Sequence, residues 1–334
     1  MRVYWVALLA LLALACGRRQ EDGSRLRVGY MARLTHAPAL TGIGSGRFDA
    51  ALPGVALETH AFEVGNAIVE AMFAGELDVA YLGPNPAING FVRSGGQDVR
   101  VVAGVATGGA RFVVRNDARV HAPGDLTGKR IATPQIASTQ DIALRTYLEK
   151  HGLASTLSGG DVVVLPLASA LIPSLLEQRE LDGAWVSEPL ASALVVGQGA
   201  RVFVDEKDEW ENGVYLTTVL AVRPAYLEKH PEVVARFVGA HVDETRFVEE
   251  QRPMALALAR ETMQRVSGRA LPDAVAQSAF GTIEFSSAPR PDVLEKCAEH
   301  ARRAGFLPAA DLSKLIAPEP LEAALARRIA TAPP

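Results

Sequence analysis

Cysteine is almost missing from this chain. Its 334 residues contain two, Cys16 and Cys297, too few for a disulfide framework or a clustered Cys/His metal site. Positive charge is not in excess either: 34 Lys and Arg stand against 38 Asp and Glu, a net charge of −4. That gives no reason to expect nucleic-acid binding, which needs a basic excess on one face. Aromatic residues are 6%, which argues against a stacking cage for a ring-shaped ligand. The phosphate-binding and nucleophile-elbow motifs are absent, and "GIGSG" (42–46) lacks dinucleotide spacing. The uncharged run at residues 3–15 is 13 residues long, shorter than the roughly 20 a membrane span requires.

What is present points to a folded body. Hydrophobic residues are 49% and charged residues 22%, and the length allows two domains of ordinary size. Residues 1–15 read as a secretory signal: Arg2, an apolar stretch, then small residues. "ALAC" (13–16) resembles a lipobox, in which Cys16 becomes the acylated N-terminus and residues 16–24 a polar tether. A plain signal peptide cut nearby, or an uncleaved anchor, is the alternative. Cys297 shares a helical face with Val293 and Ala301 and reads as a small buried hydrophobe.

Strand and helix patterns alternate along the chain. Strands are expected at 24–31, 54–62, 78–83 and 99–106, with helices at 65–77 and 84–96 between them. A second series has strands at 110–116, 129–134, 161–167 and 182–189 and helices at 139–152 and 169–181. The alternation predicts mostly parallel α/β sheets. "EAMFAGELDVAYLGPNPAI" and "PSLLEQRELDGAWVSEPLA" share a rhythm: a helix ends, an Asp opens a strand, and the strand ends in a polar loop with Pro. Two similar lobes are expected. A long strand at 214–222 follows, then helices punctuated by Pro231, Pro253, Pro272 and Pro291.

Five segments, "GYMARLTHAPAL", "AGELDVAYLGPNPAINGFV", "LTGKRIATPQIASTQDIALRTYL", "LDGAWVSEPLAS" and "NGVYLTTVLAVRP", resemble the substrate-binding proteins of ABC transporters. The likeness is to the nitrate/sulfonate/taurine group, which shares its fold with thiamine-precursor binders, and it covers residues 25 to 250. It implies an α/β, two-lobed type II periplasmic-binding fold with two crossing strands and a helical C-terminal region. The first lobe would take residues 25–109 and 216–334, the second 110–215, with crossings near 108–114 and 215–222. It also implies an ABC permease and its ATPase as partners, a monomer, attachment to a bacterial membrane through lipid, and no cofactor. Some enzymes share the fold, but the thiamine-pyrimidine synthases among them carry a cysteine-rich motif this chain lacks.

Ligands of parallel α/β lobes sit beyond the carboxyl ends of the strands. Four loops qualify. "RLTHA" offers Thr35 and His36, "GPNPA" offers Gly83 and Asn85, "TPQIASTQD" offers Ser138, Thr139 and Gln140, and "VSEP" offers Glu188. A helix starting at Thr139 presents unpaired N–H groups and a positive dipole end, an anion site that needs no lysine. Ser138 with Asp141 also reads as an ordinary capping pair. His36 suits either a ligand contact or a structural role. Gly108 and Gly109 suit close approach to ligand or a hinge, and Thr217 is placed on the return crossing. Glu188 suits an ammonium on a taurine-like ligand, or a cap or cross-cleft bond. Trp185 reads as strand core. Arg33 is the one cation in these loops, which leaves monoanions, zwitterions and neutral rings such as thiamine pyrimidines or riboflavin.

Overall fold

Two aspartates do the same work in two different sheets. Asp78 Oδ2 accepts the backbone N–H of Arg27 at 2.9 Å, and Asp182 Oδ2 accepts that of Arg130 at 2.8 Å. Each stands just ahead of a strand and pins it to its parallel neighbour, and each is charge-balanced by arginine, Asp78 by Arg27 and Arg223, Asp182 by Arg115. This is the physical content of the repeated "LDVAYLG" and "LDGAWVS". The structure, a computed structural model, describes residues 23–331; the expected signal peptide, the lipid site Cys16 and nearly all of the tether lie outside the described residues.

The first sheet has six strands: β1 (Arg25–Met31), β2 (Ala56–Phe62), β3 (Val79–Leu82), β4 (Arg100–Gly108), β10 (Leu216–Val222) and β11 (Ile283–Phe285), ordered β11-β4-β10-β3-β1-β2. The second has five: β5 (Ala110–Val114), β6 (Arg130–Thr133), β7 (Val163–Pro166), β8 (Gly183–Ser187) and β9 (Arg201–Asp205), ordered β7-β6-β8-β5-β9. β3 and β10 are buried along their whole length, and each Val or Leu so buried contributes about 1.5–3 kcal/mol.

The sheets are mixed rather than mostly parallel. β1 runs parallel to β2 and β3, and β6 to β7 and β8. β10 is antiparallel to β3 and β4, β11 to β4, and β5 to β8 and β9. The reason is connectivity. β5 and β10 arrive from the other sheet with no crossover helix to set them parallel, whereas β11 follows helix Asp273–Phe280.

The chain leaves the first sheet at Gly108 and enters the second at Ala110, through two left-handed glycines with φ of 74° and 71°. A β-carbon on Gly108 would lie 2.5 Å from Thr282 O, so the turn also demands the absence of a side chain. The chain returns between Asp205 and Leu216. Tyr215 ties the two passages together: its hydroxyl accepts from Ala110 N at 2.9 Å and donates to Ala110 O at 3.2 Å.

The C-terminal helices Pro231–Glu250, Arg252–Ser267, Asp273–Phe280 and Pro291–Arg303 each start at a proline or at the residue next to one. Val234, Phe237 and Val238 join the core under the first sheet, and Cys297 packs with Val293 and Ala301 on its other face. Helix Asp273–Phe280 also reaches the second lobe, where the Ser278 and Ser192 hydroxyls are 2.9 Å apart.

Candidate functional site

The carboxyl ends of β1, β6 and β8 and the loop after β3 face one another across a cavity of about 460 Å³, part of it open to solvent. From the first lobe come Met31 at the end of β1, Arg33, Thr35 and His36 after it, and Gly83 after β3. Ser138, Thr139, Gln140 and Ser187 face them from the second lobe, and Thr217 from β10. Three helix N-termini converge here, those of Gly65–Phe73, Pro84–Arg93 and Thr139–Lys150. Each contributes a partial positive charge.

Ser138 is the N-cap of its helix. Its Oγ accepts from Asp141 N at 3.3 Å, and its carbonyl from Ile142 N at 3.0 Å. The amides of Thr139 and Gln140 are left without an intrahelical acceptor. The Thr139 hydroxyl oxygen is buried and has no hydrogen-bond partner. Asp141 does not compete for this space. Its carboxylate takes the Thr133 hydroxyl and the Ala137 amide, each at 2.9 Å, and pairs with Arg145 at 2.9 Å.

Arg33 crosses the cleft. Its guanidinium donates to Glu63 O at 2.9 Å on its own side and reaches Ser187 Oγ and Ser169 Oγ, both at 3.4 Å, on the other. Burial draws its pKa down, and Glu63 partly offsets that. Among the described residues lining the cavity, Arg33 carries the only positive charge and none is acidic. His36 is neutral: burial, then the Arg33 charge, pushes its pKa down to about 3. Its Nδ1 accepts from Met31 N at 3.4 Å, which assigns the ring proton to Nε2.

Seven of the residues named from sequence line this cavity: Thr35, His36, Gly83, Ser138, Thr139, Gln140 and Thr217. Four do not. Asn85 turns away and donates to Cys297 O at 3.3 Å. Gly108 and Gly109 form the crossing turn. Glu188 is fully buried behind the cavity. It accepts from Ser192 N at 2.9 Å and Ser192 Oγ at 3.0 Å, and stands 3.4 Å from Arg111. Its carboxylate serves a cap and an ion pair, and burial raises its pKa. Trp185 is core, stacked on Phe112 at 5.3 Å. The sequence offers Arg33 only as a lone cation and gives no sign of Gln135, Ser187 or Gly65, whose place in the lining depends on how the lobes meet.

A model of the NMT1-like family matches residues 19–266. The chain belongs to the NMT1-like family. It is 28% identical over 190 residues to the taurine-binding periplasmic protein of Escherichia coli (strain K12), 57% of this chain and 57% of that one; the match thus spans little more than half the length of that relative. The alkanesulfonate-binding protein SsuA from Xanthomonas axonopodis pv. citri, bound to MOPS, superposes with a TM-score of 0.72 at 21% identity, covering 86% of this chain and 96% of that one. The periplasmic nitrate-binding protein NrtA from Synechocystis PCC 6803 does so with a TM-score of 0.74 at 14% identity, covering 92% and 90%. The NMT1-like chain thus has the two-lobed fold of periplasmic binding proteins, as the resemblance in its sequence implied.

Proposed function

We propose that this NMT1-like protein is the extracytoplasmic solute-binding component of an ABC importer and carries a small oxyanion-bearing solute of the sulfonate, taurine or nitrate type. The observation that carries this reading is the unpartnered Thr139 hydroxyl at a helix N-terminus, buried in an interlobe cavity that has one guanidinium and no acidic side chain. An unsatisfied buried hydroxyl costs about 1–3 kcal/mol, and a bound oxyanion would remove that cost. Its oxygens would take donors from the helix start, from Thr35 and His36 Nε2, and from Arg33.

Within this class the cavity favours a bare monoanion. A zwitterion needs a carboxylate for its ammonium, and Glu188 is committed elsewhere. A ring-shaped solute is not favoured, since among the described residues the only aromatic ring on the lining is the His36 imidazole. The lobes, residues 25–109 with 216–334 and residues 110–215, would close on the solute about the Gly108–Gly109 and Tyr215 passages. The loaded form would be handed to a permease and its ATPase by a monomer held at the membrane through lipid on Cys16. No catalysis and no cofactor belong to this role. Cys297 supports that reading, since it is buried in apolar packing that pushes its thiol pKa up.

A thermal-shift panel of ethanesulfonate, taurine, nitrate, bicarbonate, a thiamine pyrimidine and riboflavin tests the reading. A ligand at about 100 times its Kd adds about 2.7 kcal/mol of stability. Stabilisation by ethanesulfonate or nitrate is expected. Stabilisation by the ring compounds alone would overturn the proposal.

A further inference from the structure

A second cavity opens at the other end of helix Thr139–Lys150, away from the oxyanion site. Its volume is about 690 Å³, part of it open to solvent. Thr146, Tyr147 and Lys150 of that helix form one wall. Glu206 and Trp210 of the return passage form another, and His300 and Arg303 of helix Pro291–Arg303 close it from the first lobe.

Two polar atoms in this cavity are buried and unsatisfied. Glu206 is 1% exposed. Its Oε2 accepts the Trp185 indole N–H at 2.7 Å, but Oε1 has no partner, with Trp210 beside the carboxyl and short of hydrogen-bond geometry. The Thr146 hydroxyl oxygen is likewise buried without a partner. A carboxylate in such a place costs far more than a neutral group unless a positive donor meets it.

The surrounding charges do not meet that need. Lys150 is engaged by Glu209 at 2.7 Å and Arg303 by Glu149 at 2.9 Å. His300 is neutral near pH 7, because burial pushes its pKa down to about 4. An anion entering here would offer no donor to the two bare oxygens and would meet the Glu209 charge. A small organic cation would instead supply donors to the two bare oxygens and lay its carbon chain on the rings of Tyr147, Trp185 and Trp210.

We propose that this cavity is a second binding site, for a small primary alkylammonium cation, with its ammonium on Glu206 Oε1 and Thr146 Oγ1 and its hydrocarbon part against the aromatic walls. Without the cation, burial holds the Glu206 pKa at about 8, against the Trp185 donation that lowers it. Near neutral pH the carboxyl is therefore mostly protonated, and binding the cation releases its proton.

The test is a titration of the full-length chain with ethylammonium chloride, followed by tryptophan fluorescence and calorimetry, with sodium chloride as the ionic control. Saturable binding is expected, with affinity rising from about pH 7 to about pH 9 as Glu206 gives up its proton. Glu206→Gln matches the neutral carboxyl in shape and should fold; it is expected to weaken binding by about tenfold or more and to flatten the pH dependence. Thr146→Val should weaken it by several fold. No saturable binding beyond the salt control, or binding of equal strength in Glu206→Gln, overturns the proposal: the two oxygens would then be served by water alone.

Discussion

Gly83 and Thr139 face each other across the cleft so closely that a β-carbon on Gly83 would stand 2.7 Å from Thr139 Oγ1. Gly83 has an ordinary extended backbone, φ −67° and ψ 154°. Its lack of a side chain therefore serves the approach of the lobes and not a special torsion. Gly83→Ala should keep its fold and bind solute about tenfold more weakly, the size of a modest overpacking penalty. In a Thr139→Ala background the same change should cost almost nothing, because the clashing atom is gone. A double-mutant cycle by calorimetry reads this coupling, and strict additivity would sink it.

Thr139 itself should show opposite signs in two assays. Thr139→Val removes an unsatisfied buried hydroxyl and keeps the volume, so the ligand-free protein should gain up to about 1 kcal/mol in urea unfolding. Solute affinity should fall by several fold, because one donor to the oxyanion is lost. Equal affinity in the variant would mean that the hydroxyl only packs.

Arg33 is the residue for which charge matters most. Arg33→Gln should lower oxyanion affinity by about ten- to a hundredfold, the range of a lost charge-assisted hydrogen bond, and should weaken its salt dependence. Arg33→Lys should not restore it, since a point charge does not reproduce a fork that reaches Glu63 O, Ser187 and Ser169 together. Calorimetric titration at two salt concentrations decides the matter.

The Asp141–Arg145 pair carries the stability of the site. Both side chains are nearly or fully buried, and Asp141 also holds Thr133 and the left-handed Ala137 amide. Asp141→Asn leaves a buried guanidinium without its counter-charge and should cost about 3–5 kcal/mol. Ser138→Ala, which removes only a cap, should cost about 1 kcal/mol. Urea unfolding compares the two, and equal losses would contradict the geometry.

Much of this was legible in the sequence because the lobes repeat a local grammar. Asp78 and Asp182 precede strands at the same point of each lobe, and their short side chains bond a neighbouring backbone, so pattern and structure coincide. β9 and β11 gave no such signal. One is half-exposed at a sheet edge and the other has three residues, so neither shows a clean alternation. The loops of the cleft were placed by their positions after strands, yet Asn85 and Glu188 face away from it. Their directions are set by Cys297 O, Ser192 and Arg111, partners more than 200 residues, four residues and 77 residues distant along the chain. Local sequence fixes where a loop stands, while tertiary partners fix where its side chains point.

The pH dependence of stability should reveal groups of opposite sign. Burial, then the Arg33 charge, pushes His36 down to about 3; burial pushes His241 to about 4, against its bond to Gly104 O. Unfolded histidine titrates near 6.5, so below that pH the unfolded chain takes up protons the folded one refuses. Their stabilisation is fully present above about pH 6.5 and is lost as pH falls toward 4, at about 1.4 kcal/mol per pH unit for each. His300 adds to this slope, less strongly because it is partly exposed. Glu206 works the other way. Its folded pKa of about 8 lies above the unfolded value near 4.3, so its contribution is full below about pH 4.3 and declines as pH rises to 8. Between those limits the histidines outweigh it up to about pH 6.5, and above that Glu206 acts without their opposition. Chemical denaturation from pH 4 to 9 should therefore give a maximum near pH 6.5. Glu206→Gln should flatten the limb from about pH 6.5 to 8 and leave the acid limb steep, and His241→Asn should do the reverse. A Glu206→Gln profile parallel to the wild type above pH 6.5 would show that this carboxyl is already ionised in the folded protein.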